Sequence, residues 1–149
     1  MANLEPVSIF LVENNLPELR LIQRILAKAK LPVSLQFVED GFTAAYYLSE
    51  IGQYGRKNYF SLPELILLAD IIIPGMSGIE LVTWIEQQPH LKDIPVVAMI
   101  SSASPSEVSQ LESMNVQHFA KPASINDWQK IIKRLVSLVS ALRVERRIA

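Results

Sequence analysis

Asp70 closes an abrupt apolar run, Leu65-Ile66-Leu67-Leu68-Ala69, and is followed by Ile71-Ile72-Ile73-Pro74-Gly75-Met76-Ser77-Gly78. An apolar run without alternation is the pattern of a strand covered on both faces, as in a parallel sheet packed between helices. A carboxylate at the carboxyl end of such a strand stands where open α/β sheets carry their chemistry. Other polar residues recur at equivalent places. Glu13 and Asn14 follow Val7–Val12, Ser101 ends the segment Pro95–Ser101, and Lys121 follows Val116–Ala120. Oxygen donors from Glu13, Asn14 and Asp70 suit a hard octahedral cation such as Mg2+. Lys121 and Ser101 add a positive charge and a hydroxyl donor. These are the parts needed to hold a phosphoryl group on Asp70, with metal and ammonium neutralising its oxygens.

The surrounding elements must bring these residues together. Strand-like and helical patterns alternate along the whole chain. The patterns predict strands over Val7–Val12, Val33–Val38, Leu65–Asp70, Pro95–Ser101 and Val116–Ala120. The second is half-buried, with Val33, Leu35 and Phe37 alternating against Ser34 and Gln36. Helices are predicted over Leu16–Lys30, Phe42–Ile51, Gly78–Gln88 and Pro105–Met114, and from Ile125 into the basic end, with Gly52–Leu62 a polar loop. Helix starts are marked by Asn15 with Glu18, Ser77 with Glu80, Ser104 with Glu107 and Ser124 with Asp127, and by Asp40 before Gly41. Arg143, Arg146 and Arg147 suit the negative end of the last helix dipole. Five β-α units joined right-handedly give a flavodoxin-like, doubly wound α/β fold: a five-stranded parallel sheet in the order 2-1-3-4-5 with five helices. That order makes the ends of strands one and three neighbours around a switch point.

With 149 residues, the chain reads as one domain over 1–149, its core spanning about 6–142. Half the residues are hydrophobic and the net charge is −1, the balance of a soluble globular protein with no general attraction to nucleic acid or membranes. The absence of cysteine excludes a disulfide scaffold and thiolate metal sites. The start, Met1-Ala2-Asn3-Leu4-Glu5-Pro6, lacks the basic and apolar segments of a signal peptide, which points to the cytoplasm. Trp128, Ile131, Ile132, Leu135, Val139 and Leu142 form an apolar stripe suited to the core, long enough to leave surface for a homodimer contact.

Four of these segments, in order, resemble the response-regulator receiver domain of two-component signalling. Val7-Ser8-Ile9-Phe10-Leu11-Val12-Glu13-Asn14-Asn15 is similar to the first strand and acidic pair of that family. Leu67-Leu68-Ala69-Asp70-Ile71-Ile72-Ile73-Pro74-Gly75-Met76-Ser77-Gly78 resembles its phospho-acceptor segment, and Phe119-Ala120-Lys121-Pro122 its lysine-proline signature. The loop Tyr54–Leu62 is similar to that of single-domain regulators paired with bacterial phytochromes. The resemblance implies that Asp70 takes a phosphoryl group from a phosphohistidine on a sensor kinase or phosphotransfer protein, a phytochrome-type kinase being the nearest parallel. It implies that Glu13 holds Mg2+ through water, with Asn14 and the Ile72 carbonyl completing the shell. Lys121 then pairs with the phosphoryl oxygens, Ser101 hydrogen-bonds one of them, and His118 occupies the switch-aromatic position. The implied protein is no metabolic enzyme. It is a stand-alone cytoplasmic phospho-acceptor that assists its own phosphoryl transfer and hydrolysis and signals to a downstream protein by contact.

Two residues depart from the family pattern. The second member of the acidic pair is Asn14, which keeps an oxygen donor and removes one negative charge, so Mg2+ binding is expected to be weak. Counting from Pro95, the family's hydroxyl position falls on Ile100, with Ser101 one place on. Either the strand end is locally adjusted and Ser101 serves, or the hydroxyl is lost. The alternative function is therefore a degenerate receiver, weakly phosphorylated or not at all, that acts as a protein-interaction module. A third option, a flavodoxin-type cofactor binder, needs a hydroxyl- and glycine-rich phosphate cradle where this chain has Glu13-Asn14-Asn15-Leu16-Pro17.

Overall fold

A computed structural model of the protein describes residues 6–50 and 62–148. Five strands, β1 (Val7–Val12), β2 (Val33–Val38), β3 (Leu65–Leu68), β4 (Val96–Ile100) and β5 (Gln117–Ala120), alternate with five helices. The helices are α1 (Leu16–Lys28), α2 (Gly41–Glu50), α3 (Gly78–Glu86), α4 (Pro105–Ser113) and α5 (Ile125–Ile148). The strands form one sheet in the order β2-β1-β3-β4-β5, and every pairing is parallel. This is the doubly wound α/β arrangement expected from the alternation of patterns. The expected end of the second helix at Ile51 and the polar loop Gly52–Leu62, apart from Leu62, lie outside the described residues.

Strand alternation divides the apolar residues between two cores. Phe10, Val12, Ile66, Leu68 and Ala98 face one side with Leu48, Leu81, Val82, Ile85 and Leu111 from α2, α3 and α4. Val7, Ile9, Leu11, Leu65, Leu67, Val97 and Met99 face the other with Leu19, Ile22 and Ile25 of α1 and Trp128, Ile132, Leu135 and Val139 of α5. Both sides of β3 are covered, which is why its four residues are apolar without alternation. The α5 stripe is thus mainly core, with Ile131 and Leu142 only half-buried. In β2 the expected inward alternation fails at Phe37, which is 43% exposed; β2 is an edge strand with one neighbour fewer to cover it.

Several elements are shorter than their patterns, and the trimming matters at the strand ends. β3 stops at Leu68: the Ala69 amide still donates to the Val12 carbonyl (3.1 Å), and Asp70 lies just beyond the ladder. β4 begins after Pro95, which has no amide hydrogen but accepts from the Ile66 amide (3.0 Å), and it ends at Ile100, so Ser101 is off the strand. α1 ends two residues early because Lys30 turns into the left-handed region (φ 52°), and the Leu31 amide returns to the Leu26 carbonyl. Two glycines shape the loop after Asp70. Gly75 adopts φ +75° with the Phe42 ring against it, and Gly78 lies so close to the Ile71 backbone that a Cβ would come within 2.7 Å of it.

Candidate functional site

The strand ends deliver Glu13, Asp70, Ser101 and Lys121 to the same edge of the sheet. Glu13 extends the β1–β2 pairing, its amide donating to the Val38 carbonyl (3.0 Å). Lys121 likewise extends β4–β5, donating its amide to the Ile100 carbonyl (3.0 Å). Backbone hydrogen bonds therefore fix both residues; the Lys121 side chain reaches Asp70, and Glu13 lies within the field of both.

Asp70 sits at the centre of the cluster. Its Oδ1 accepts from the Ile72 amide (3.1 Å), an Asx-type turn that pins the carboxylate against its own loop. Its Oδ2 accepts from the Ser101 hydroxyl (2.7 Å) and lies 3.5 Å from the Lys121 ammonium. Ending β4 at Ile100 turns the next residue toward Asp70, so the hydroxyl that reaches the carboxylate belongs to Ser101. Ile100 packs into the core on the α2–α4 side instead. The Ile72 side chain is exposed, and Asn14 is exposed at the mouth of the first loop.

Glu13 is 3% exposed, and only one of its oxygens is satisfied: Oε1 accepts from the Asn15 amide (2.9 Å), while Oε2 is buried without a partner. Burial holds its carboxyl above the ordinary value of 4.5, and the negative charges of Glu18 and Asp70 push the same way. The Asn15 amide and Lys121 only partly offset this. Lys121 is held above its ordinary 10.5. Burial alone would lower it, but the hydrogen bond to Glu18 and the charges of Glu18, Glu13 and Asp70 outweigh that effect.

Glu18 is the residue whose part the sequence pattern hid. Asn15 caps α1 by accepting from the Glu18 amide (3.0 Å), as the spacing predicts. A full capping box would turn the Glu18 carboxylate back to the Asn15 amide. Here Glu13 has taken that amide, and Glu18 reaches Lys121 instead, with its Oε2 3.0 Å from the ammonium. The first-turn acid is the only signal the sequence offers, and it is identical to that of an ordinary cap. Ser104 with Glu107, by contrast, closes a complete capping box on α4.

His118 is half-buried in β5, in register with Ala98. Its neighbour Phe119 packs on the α1–α5 core and lies under the Arg134 guanidinium (4.9 Å to the ring centre), so alternation places His118 on the α4 side of the sheet. Among the described residues no group of three or more His, Cys, Asp or Glu side chains forms a closed metal site. The donor chemistry nonetheless fits a hard cation that keeps most of its water: two carboxylates, Glu13 and Asp70, lie within each other's field, and a buried Glu13 oxygen is without a partner. None of the described helices is long and apolar enough to cross a membrane.

No protein-family model matches the chain. It is similar to response regulator Rcp1 of Synechocystis sp., with 31% identity over 133 residues that cover 89% of this chain and 88% of that protein. Among solved structures it resembles the phosphorylated cyanobacterial phytochrome response regulator RcpA, at 34% identity and a TM-score of 0.73, covering 87% of this chain and 91% of that one. It also resembles the Mn2+-bound form of Rcp1, at 31% identity and a TM-score of 0.72, over 89% and 93% of the two chains.

Proposed function

The chain belongs to the response-regulator receiver family, and from that premise we propose that Asp70 accepts a phosphoryl group from a phosphohistidine on a sensor histidine kinase. An Asp70 oxygen attacks phosphorus, the bond from phosphorus to the imidazole nitrogen breaks with its electron pair going to that nitrogen, and the ring, protonated on its other nitrogen, leaves as neutral histidine. The observation that carries this reading is the convergence of three chain-distant groups, with Ser101 and Lys121 both directed at Oδ2 of Asp70. A carboxylate already fitted with a hydroxyl donor and an ammonium is prepared for the charge that a phosphoryl group adds.

Glu13 and Asp70, with the Ile72 carbonyl and the Asn14 amide oxygen, would hold Mg2+, which when bound supplies positive charge to the phosphoryl oxygens. Ser101 exchanges its hydrogen bond from Asp70 Oδ2 to a phosphoryl oxygen and moves toward the site. The space it vacates lets His118 re-pack between β5 and α4, converting a local charge change into a new surface for a downstream protein or a second copy. The same residues assist hydrolysis, which resets the site. The likeness to RcpA supports a phytochrome-type kinase as donor. In this reading residues 1–149 work as one receiver unit in the cytoplasm.

Acetyl phosphate with Mg2+, followed by intact mass measurement, tests the reading. The expected result is a labile gain of one phosphoryl group that Asp70→Asn lacks. No gain under saturating donor overturns it in favour of the degenerate receiver. The observation favouring that alternative is Asn14, exposed and uncharged where the family carries its second acid.

A further inference from the structure

Glu18 belongs to neither the phosphoryl-accepting group nor the metal-binding set, yet it is the nearer of the two partners of Lys121. The ammonium is 3.0 Å from Glu18 Oε2 and 3.5 Å from Asp70 Oδ2. Asp70 is already served without it: the Ile72 amide satisfies Oδ1 and the Ser101 hydroxyl satisfies Oδ2. Glu18 is not. Its side chain is 14% exposed, and its second oxygen, Oε1, is buried with no partner. Lys121 is therefore worth more to Glu18 than to the unmodified Asp70.

We propose that Glu18 is a competitor for Lys121, holding the ammonium in the resting protein and opposing its transfer to a phosphoryl group on Asp70. The proposal rests on the receiver reading above and adds a restraint to it. A phosphoryl group on Asp70 brings more negative charge than the carboxylate it replaces, and draws the ammonium toward it. Each step in that direction leaves Glu18 half-buried, charged and without its cation, which is the costly way to break a shielded ion pair. That cost is subtracted from the stability of the modified state. Glu18 thus sets how tightly this receiver holds its phosphoryl group. It acts as a positioning residue, through Lys121 alone.

The local fold makes the restraint separable from helix formation. Glu18 is the third residue of α1, and the cap that starts the helix uses its backbone amide and the Asn15 side chain, not its carboxylate. Side-chain variants at this position keep that cap.

The test is the affinity for beryllofluoride, a phosphoryl mimic that adds to an aspartate oxygen, in the presence of Mg2+ and with Asp70→Asn as the blank. Two variants divide contact from charge. Glu18→Gln removes the charge; Glu18→Asp keeps it but is one methylene short of the ammonium. Competition predicts that both bind the mimic more tightly than the natural protein, by roughly three- to tenfold for Glu18→Gln and somewhat less for Glu18→Asp. A general loss of structure would weaken binding, so the sign itself distinguishes the two. Tightening by Glu18→Gln alone reveals a field effect without a latch and overturns the proposal. Unchanged or weaker binding by both overturns it too, while saturation of the natural protein leaves the receiver reading standing. If neither the natural protein nor either variant binds the mimic, both readings fall together.

Discussion

Two clusters of opposite charges lie at opposite ends of the same sheet, and they differ in what they leave open. At the amino ends, Glu64 just before β3 accepts the Ser8 amide (3.1 Å) and is gripped by Arg143 of α5 through Nε (2.5 Å) and Nη2 (2.6 Å). The same guanidinium donates to the Pro6 carbonyl (3.1 Å). Both Glu64 oxygens are engaged, Oε1 by the Ser8 amide and Arg143 Nη2 and Oε2 by Arg143 Nε. At the carboxyl ends Glu18 and Asp70 share the Lys121 ammonium with Glu13 in its field, and two buried oxygens, Glu13 Oε2 and Glu18 Oε1, have no partner. A cluster that only stabilises closes its hydrogen bonds. One that keeps buried acceptors open gives up stability to preserve a site for another positive charge.

The largest expected effect breaks the comparison on function. Lys121→Met and Ser101→Ala each remove a group that meets Asp70 Oδ2 and that would then meet the phosphoryl group. Each should slow phosphoryl acceptance from acetyl phosphate by about 10- to 100-fold, the equivalent of one lost hydrogen bond to a charged group. Arg143→Ala should leave that rate within about twofold, because its contacts are at the far end of the sheet. Timed intact mass measurement compares all three. Equal losses from both ends would show that the carboxyl-end cluster has no special role.

Stability is expected to reverse the order. Arg143→Ala breaks a two-pronged pair whose side chains are each about one-fifth exposed, and it leaves Glu64 holding only the Ser8 amide. After allowance for solvent screening, a loss of about 1–2 kcal/mol in urea unfolding follows. Glu13→Gln removes a buried charge with an unsatisfied oxygen, so it should cost nothing or add about 1 kcal/mol while weakening Mg2+ binding. A large loss of stability from Glu13→Gln would mean that its carboxylate is structural after all.

The fold was legible because burial on both faces and capping leave strong marks in sequence. Leu65–Leu68 could not be a surface strand, and Asn15, Ser77 and Ser104 start helices as their spacing indicates. Convergence of the strand ends then followed from the strand order. What stayed hidden depends on which acceptor wins a donor in three dimensions. Glu18 carries the pattern of a cap partner, and only the choice made by Glu13, taking the Asn15 amide, frees it for Lys121. Ser101 was ambiguous between strand and loop until the end of β4 was located. Glu64 and Arg143 are 79 residues apart, and nothing local links them.

The two ends should also answer pH with opposite signs. The Arg143 hydrogen bond holds Glu64 below the ordinary 4.5, so its contribution is present above 4.5 and is lost as pH falls through the lowered value. Burial holds Glu13 above 4.5, so the folded state keeps its proton longer than the unfolded one. Glu13 therefore favours folding below 4.5, and that advantage disappears as pH rises through the raised value. Stability curves of Glu64→Gln and Glu13→Gln between pH 3 and 7, set against the natural protein, should differ from it in opposite directions: the first loses its advantage at the neutral end, the second removes a neutral-pH penalty. Parallel curves would mean that the two carboxylates sit in equivalent environments.

The smallest effect tests how far the open cluster can be altered without rebuilding it. Asn14 is exposed, so a carboxylate placed there enters a wet site and gains only a screened attraction for a divalent ion. Asn14→Asp should therefore raise Mg2+ affinity by a factor of about 3–10, equivalent to about 0.7–1.4 kcal/mol. Trp128 reports it, since its ring lines a cavity of about 430 Å3 with Pro17 and Glu18, within reach of any shift in the first loop. The new charge should not disturb Glu64 or Arg143, and the urea midpoint should stay nearly where it was. Equal Mg2+ affinities in the two proteins would place the ion's binding on the buried Glu13 and on Asp70, with the exposed amide contributing nothing.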